Sequence, residues 1–311
     1  MNTQSVGASQ VLFAGVLWGT SGTIASLFPH SASTLSIAAV RLVIGSLALL
    51  IMLMIEKRSL PFAHSPRLPL PLLVISAIGM AITQVALFLS VRLAGVTVAT
   101  MIFIGSSPLF GGVLSFLLRK ERQTLSWMVS SIIVACGCLG MAFSESLGNG
   151  SSIDQSQLLL GSMIAMSAGL GWALVGNCIK ALHAYVSPLE SSTIVMLAGA
   201  VVLIPLAFFE GFGWLSQPGS LWVALSLGIV SAAMPYLLFS LGMKRIPVAH
   251  AFLYGLIEPI TASLLGVLLL KEHLNGTGVI GYSLVLIGLV LFSVWAAVAD
   301  RMQVKRMASS P

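Results

Sequence analysis

The chain has 311 residues, of which 57% are hydrophobic and only 8% are charged. Soluble domains carry roughly a quarter charged residues, so a chain of this composition has too little polar surface for water and must be solvated by lipid. The formal charge of +6 does not indicate nucleic-acid binding, because the cationic residues lie between apolar runs and form no basic face of a soluble fold.

Ten apolar runs follow one another along the chain. A helix that crosses a bilayer needs about 20 apolar residues, and each run approaches or exceeds that length. The runs are continuously apolar and do not alternate, which favours helices over strands. The sequence therefore predicts an all-α integral membrane protein with ten transmembrane helices. In chain order the runs are 11–29, 35–55, 69–92, 95–118, 124–144, 158–181, 188–209, 219–243, 247–270 and 276–299.

The distribution of cationic residues predicts the orientation. If the N-terminus is cytoplasmic, all but three of the 15 Lys and Arg residues fall on the cytoplasmic side. The exceptions are Arg92 and Lys271 on the outer side and Arg41 inside a span. Because cationic loops resist translocation, this asymmetry predicts that both termini are cytoplasmic.

The chain contains two related halves. Trp18 in the first half corresponds to Trp172 in the second, and Pro108 corresponds to Pro259. Each half holds five runs, an odd number, so the second half must enter the membrane from the opposite side. The sequence therefore predicts an inverted repeat, a construction found in many secondary transporters.

The halves define the domain organisation. We expect residues 1–145 and 158–299 to form the two five-helix repeats, joined on the outer side by the Gly/Ser-rich connection 146–157. Residues 300–311 are expected to form a cytoplasmic tail. Two related, oppositely oriented halves provide a route to alternating access, since each can adopt the conformation that the other had.

The paired prolines are predicted to break their helices near mid-membrane. Proline lacks an amide donor and clashes with the preceding turn, so Pro108 and Pro259 should free carbonyls near Ile104 and Gly255. Lipid offers these carbonyls no hydrogen-bond donor, so they should face protein or a wet cavity. A packed kink without a ligand is the alternative interpretation.

These features resemble a known family. Each half has a Trp in its first helix, in GVLWG at 15–19 and GLGWA at 169–173, and each ends its fourth helix with Lys-Glu after a central proline, at 120–121 and 271–272. Together with the two five-span halves, these motifs are similar to those of the EamA family of the drug/metabolite transporter superfamily. The resemblance covers nearly the whole chain.

The resemblance implies a ten-helix, multi-pass transporter of the bacterial inner membrane, which in most studied members exports amino acids or related metabolites. Arg41 also fits the family's habit of an arginine in the second span. The second half departs from this pattern, with Val195 at the corresponding position. The shared residues are mostly architectural, so they do not identify the substrate.

A polar stripe runs along the ninth span. His250, Tyr254 and Glu258 are spaced four residues apart and so share one face of a continuous helix. The positions corresponding to Tyr254 and Glu258 in the fourth span are Phe103 and Ser107. An ionisable group inside a membrane usually marks a substrate or proton path. Glu258 is thus predicted to bind a substrate amino group or a proton, with Tyr254 in reach; the alternative is a Glu that locks helices together.

Further polar and aromatic residues inside the spans are candidates for the same cavity. Arg41 either extends outward to the interface or approaches Glu258. Trp18 and Trp172 lie away from the interfaces where Trp usually collects, so they either wall a cavity or act as packing wedges. Candidate hydrogen-bonding side chains are Gln84, Asn177 and Tyr236.

These observations predict a secondary transporter of small metabolites, with amino acid export as the first substrate class. The alternatives are another cargo, such as a drug-like amine or a nucleotide sugar, or a channel-like or non-transporting membrane protein. The sequence contains no metal-spaced cluster, Walker-type loop or GxSxG elbow, so no enzyme, cofactor or metal is predicted. The expected partners are a small-molecule substrate and membrane lipids, without nucleic acid; monomer and homodimer remain open.

Overall fold

The structure, a computed structural model, describes residues 3–29, 31–57, 68–148, 155–269 and 276–308. Every regular element in these ranges is a helix. The helices are α1 (Thr3–Gly19), α2 (Ser21–Ala25), α3 (Thr34–Lys57), α4 (Leu70–Ala94), α5 (Val96–Arg119), α6 (Leu125–Gly148), α7 (Gln155–Leu182), α8 (Pro188–Phe208), a 3-10 turn (Gly213–Ser216), α9 (Ser220–Gly228), a π-helix (Ile229–Ala233), α10 (Met234–Met243), α11 (Val248–Gly255), α12 (Ile257–Leu269) and α13 (Gly276–Ala308).

Eight of the ten predicted runs contain a described helix that is long and apolar enough to cross a membrane. The exceptions are α1, which has 17 residues, and α6, whose apolar part is Leu125–Gly140. The protein is therefore an all-helical, multi-pass membrane protein, and the number of ten crossings stays a prediction.

The ends of several predicted segments differ in the structure. Helices α6 and α7 extend into the predicted connection 146–157, and residues 149–154 between them lie outside the described residues. Helix α13 continues to Ala308, so most of the predicted tail is helical. The Lys-Glu pair at 271–272 also lies outside the described residues.

Large apolar side chains cover the outside of the bundle. Leu125, Phe208 and Trp222 are each more than 70% exposed. Apolar surface of this kind on a soluble monomer would drive association, whereas acyl chains solvate it without cost. The exposure pattern therefore agrees with a bundle surrounded by lipid.

Small residues allow the helices to approach closely where α4 meets α7. A Cβ atom on Gly171 would lie 2.8 Å from the carbonyl oxygen of Gly79 and from the backbone nitrogen of Thr83. Within a bilayer, helices associate through such van der Waals contact and not through burial from water. The two helices are thus held at a distance that only glycine permits.

Corresponding glycines of the two halves contact corresponding helices. A Cβ on Gly15 of α1 would lie 2.9 Å from the carbonyl oxygen of Gly255, at the junction between α11 and α12. A Cβ on Gly169 of α7 would lie 3.0 Å from the carbonyl oxygen of Phe103 in α5. Helix α1 therefore packs against the junction of α11 and α12, and α7 packs against α5.

The two prolines differ in the structure. Helix α11 ends at Gly255 and α12 begins at Ile257, so Pro259 lies in the first turn of a new helix. Pro108, by contrast, lies inside the continuous helix α5, so the predicted break does not occur there. Gly255, which lies at the end of α11, carries no side chain and lowers the preference for a continuous helix there, whereas the corresponding residue of α5 is Ile104.

The close contact between α4 and α7 can be tested by Gly171→Ala. The added methyl group meets backbone atoms that cannot rotate away, so we expect a loss of about 1–3 kcal/mol in stability and a lower Tm. Gly22→Ala is the matched control, because a Cβ on Gly22 has no neighbour within 4 Å. Thermal unfolding in detergent measures the Tm of both variants. Equal Tm values for Gly171→Ala and Gly22→Ala would contradict the close packing.

Candidate functional site

Aromatic side chains from three helices meet in the interior. The ring centroids of Trp18 in α1 and Trp172 in α7 are 5.5 Å apart in an edge-to-face arrangement. Tyr236 of α10 lies 5.8 Å from Trp18 and 5.5 Å from Trp172. Such geometries stabilise aromatic pairs beyond simple burial. The two corresponding tryptophans of the halves thus lie in contact.

Two phenylalanines extend this group, which we call the aromatic cluster: Trp18, Trp172, Tyr236, Phe239 and Phe252. Phe239 stacks on Trp172 at 5.7 Å, and Phe252 lies 5.8 Å from Phe239. Sequence reasoning missed both phenylalanines, because an aromatic residue inside an apolar run carries no distinguishing pattern. The signal that identifies them is spatial, since the Phe252 ring packs against two glycines on other helices, Gly111 and Gly176.

Arg41 points into the bundle and does not extend to the interface. Its Nη2 donates a hydrogen bond of 2.6 Å to the backbone carbonyl oxygen of Ser231, in the π-helix. The Nε of Arg41 is buried and has no hydrogen-bond partner among the described residues. π-Helices are rare and occur frequently at functional sites. The guanidinium therefore retains an unused donor inside the protein.

The π-helix is held by contacts from two other helices. The hydroxyl groups of Ser21 and Ser231 are hydrogen-bonded to each other, which ties α2 to this segment. Helix α3, which carries Arg41, approaches the preceding turn closely: a Cβ on Gly45 would lie 3.0 Å from the carbonyl oxygen of Gly228. Arg41 is thus placed against the π-helix by packing as well as by its hydrogen bond.

Glu258 lies just after the break between α11 and α12 and is half-buried. It interacts electrostatically with both Arg41 and Tyr236. Its carboxylate forms no ion pair within 4 Å with any cation among the described residues. A Cβ added to the neighbouring Gly255 would have nothing within 4 Å, so there is open space beside the break.

The predicted polar stripe of the ninth span is divided by that break. His250 and Tyr254 both pack against Phe292 of α13, with ring centroids at 4.9 Å and 5.1 Å. The Tyr254 hydroxyl faces Ser293. Glu258 lies beyond the junction of α11 and α12, and it interacts electrostatically with Arg41.

Two further candidate side chains are those of Ser107 and Gln84. The Ser107 hydroxyl donates to the carbonyl oxygen of Phe103 at 2.7 Å, within its own helix. Gln84 is half-buried, one turn along α4 from Met80, whose sulfur accepts a hydrogen bond of 3.6 Å from the Tyr236 hydroxyl. Across the described ranges, no three His, Cys, Asp or Glu side chains are grouped to hold a metal ion.

Asn177 lies in a different layer, nearer the end of α7. Its Oδ1 accepts a hydrogen bond from Nη2 of Arg119, and its Nδ2 donates to the carbonyl oxygen of Ala173 at 2.8 Å. The Nε of Arg119 also pairs with Glu121 at 2.9 Å. The structure thus places Asn177 of α7 against Arg119 at the end of α5, and not in the aromatic cluster.

The same end of the bundle gathers further cations and is called the basic end; it contains Arg119, Lys180, Lys244 and Arg245. The Nζ of Lys180 donates to the carbonyl oxygens of Met243 and Ile246, which ties α7 to the end of α10. Arg245 donates to Oε1 of Gln10 at 2.7 Å. These contacts close the helices against one another beyond the aromatic cluster.

Comparison with known proteins places this architecture among transporters. The EamA-like transporter family matches two segments of the chain, residues 5–143 and 159–294. The uncharacterized transporter YwfM of Bacillus subtilis (strain 168) is 33% identical over 283 residues, which cover 91% of this chain and 92% of the relative.

The threonine/homoserine exporter RhtA of Salmonella typhimurium (strain LT2) is 28% identical over 255 residues, covering 81% of this chain and 78% of the relative. A solved crystal structure is also similar, with a TM-score of 0.78 at 18% identity. The match covers 95% of this chain and 99% of the chain in that crystal structure, which establishes a shared fold.

A histidine at the basic end predicts a pH effect on stability. Burial lowers the pKa of His183 from 6.5 to about 4, and the Lys180 and Lys244 cations act in the same direction. The unfolded chain therefore binds the proton more readily, so stability is lost as pH falls from about 6.5 toward 4. We expect a loss on the order of 2 kcal/mol, since one pKa unit corresponds to about 1.4 kcal/mol and solvent screens part of it.

Thermal unfolding of wild type and His183→Gln across this pH range measures the effect, and the variant should lose part of the slope. Ser240→Ala is the control, because it removes the 2.8 Å hydrogen bond to the His183 ring without removing the titrating group. That variant should be less stable at every pH and retain the slope. Identical slopes in wild type and His183→Gln would contradict the assignment.

Proposed function

Because the chain belongs to the EamA-like transporter family, we propose that it is a secondary transporter of the bacterial inner membrane that exports amino acids or related small metabolites. The observation that carries this proposal is the half-buried Glu258 beside the aromatic cluster, next to open space at a helix break. A substrate class is suggested by RhtA, whose name identifies it as a threonine/homoserine exporter.

We propose that two inverted five-helix repeats form the transporter, with both termini in the cytoplasm. The two separate family matches support a duplication. The reciprocal contacts of Gly15 with the second half and Gly169 with the first agree with related halves that embrace each other. The basic end is assigned to the cytoplasmic side, because cationic segments are retained there.

Glu258 is proposed to bind the cargo's ammonium group or, in its absence, a proton. A carboxylate inside a bilayer is costly unless it is paired or protonated. Since Glu258 forms no ion pair within 4 Å among the described residues, an ammonium group can supply the missing partner. The aromatic cluster beside it then provides faces that attract a cation and exclude water.

Alternating access requires the basic end to open. In this structure Arg119 joins α5 to α7, and Lys180 joins α7 to the end of α10. Export from the cytoplasm needs these contacts to separate so that cargo can reach the aromatic cluster. The arrangement supports a state that is closed toward the cytoplasm.

A second candidate cargo is a drug-like amine. The Glu258 carboxylate and the aromatic faces suffice to bind a cation that has no carboxylate of its own. A nucleotide sugar is less suited to this site. Its phosphates call for several cations, and among the described residues of the site Arg41 is the one cation.

Glu258→Gln tests the proposed function. Exchange of radiolabelled threonine or homoserine across proteoliposomes should fall at least about tenfold in this variant, because a charge-assisted hydrogen bond to the ammonium group is lost. Any dependence of the exchange on external pH should weaken as well.

Glu56→Gln is the matched control, since Glu56 is an exposed carboxylate at the end of α3. That variant should transport like the wild type. Unchanged exchange and unchanged pH dependence in Glu258→Gln would contradict the role of Glu258. Wild-type protein that exchanges amines but none of the amino acids would instead support the second candidate.

A further inference from the structure

We propose that Arg41 recognises the carboxylate of the cargo, and that the π-helix Ile229–Ala233 holds it in position to do so. This inference rests on the proposed function and adds a specificity determinant to it. Cargo with a free carboxylate would be selected over an amine that carries the same side chain.

The carbonyl oxygen that accepts from Arg41 belongs to Ser231. In an α-helix the carbonyl of Ser231 would accept from the amide of residue 235, but that residue is Pro235, which has no amide hydrogen. The carbonyl thus lacks its α-helical donor, and it accepts a hydrogen bond from Nη2 of Arg41 at 2.6 Å. The local sequence of the π-helix thus creates the anchor for the guanidinium.

The guanidinium of Arg41 retains hydrogen-bond donors beyond the one that Ser231 uses. A guanidinium has five N–H donors in a planar fork, and a carboxylate usually accepts two of them side by side. The Ser231 carbonyl accepts from Nη2, while the buried Nε has no partner among the described residues. An unpaired donor on a cation inside a membrane protein is costly, so an anionic ligand at this edge would relieve a real deficit.

Glu258 is an oppositely charged neighbour of Arg41. The two groups interact electrostatically but are not within 4 Å of each other, so they do not form a closed ion pair. Opposite charges that interact without closing into an ion pair fit a zwitterion, with its ammonium group at Glu258 and its carboxylate at Arg41. An amine lacking the carboxylate would satisfy only one of the two groups.

The two halves differ at the position of Arg41. Val195 corresponds to Arg41 in the second half, and it is completely buried in α8. A single guanidinium thus serves the site from one side, which suits a cargo with one carboxylate. The Ser21–Ser231 hydrogen bond and the close approach at Gly45 keep the π-helix against α3, so the guanidinium has a fixed position.

The experiment measures binding to purified protein in lipid nanodiscs by calorimetry. The probes are a panel of amino acids, beginning with L-threonine and L-homoserine, and the corresponding carboxamides, in which a neutral amide replaces the carboxylate. Wild type should bind at least one amino acid about tenfold or more tightly than its carboxamide, as expected for hydrogen bonds to a charged group.

Arg41→Gln should remove this preference by weakening amino acid binding, while carboxamide binding changes less than about twofold. Arg41→Lys should restore only part of it, since a point charge cannot reproduce the planar fork. Arg92→Gln is the matched control, because Arg92 is an exposed arginine at the end of α4, and it should keep the wild-type preference.

Equal wild-type affinities for an amino acid and its carboxamide would overturn the inference without any variant, so the test does not depend on Arg41→Gln being folded. A preference that persists in folded Arg41→Gln would also overturn it and would assign Arg41 to holding α3 against the π-helix. Failure of every amino acid to bind wild type would contradict both this inference and the proposed substrate class. Wild-type binding of an amino acid and its carboxamide with equal affinities contradicts this inference but leaves the proposed substrate class standing.

Discussion

A backbone carbonyl that loses its helical donor inside a bilayer must find another donor within the protein, because lipid offers none. Pro235 removes the donor for Ser231, and Arg41 replaces it. The break that precedes Pro259 sits against Gly15 of α1, beside open space. The candidate site thus lies where prolines remove regular helical hydrogen bonds, and Arg41 donates to a carbonyl that has lost its α-helical donor.

Small residues make this assembly possible. At Gly15 and Gly45, the backbone of another helix comes within 3.0 Å of the point that a Cβ atom would occupy, so larger side chains would push the elements apart. Without that approach, α1 could not reach the α11–α12 junction, and α3 could not present its arginine to the π-helix. Since packing is what associates helices in lipid, the same contacts that stabilise the bundle also set the geometry of the site.

The aromatic cluster lies between the polar site and the basic end. Trp172 contacts Tyr236 at 5.5 Å and Phe239 at 5.7 Å, while Arg119 and Asn177 are bonded in the next layer. Movement of cargo past the cluster therefore requires rearrangement of both layers. Rings that contact one another edge to face can separate at modest cost, whereas the charged layer must exchange its hydrogen bonds for water.

The sequence by itself determined the membrane-embedded helical architecture, because composition and run length admit no other solvent than lipid. It also pointed to Trp18 and Trp172 by their repetition. Only the tertiary structure decided that Arg41 turns inward, since its partner is a carbonyl about 190 residues distant along the chain. Likewise, only the structure shows that a helix junction separates Tyr254 from Glu258. Such a junction interrupts the helical periodicity from which a shared face is predicted.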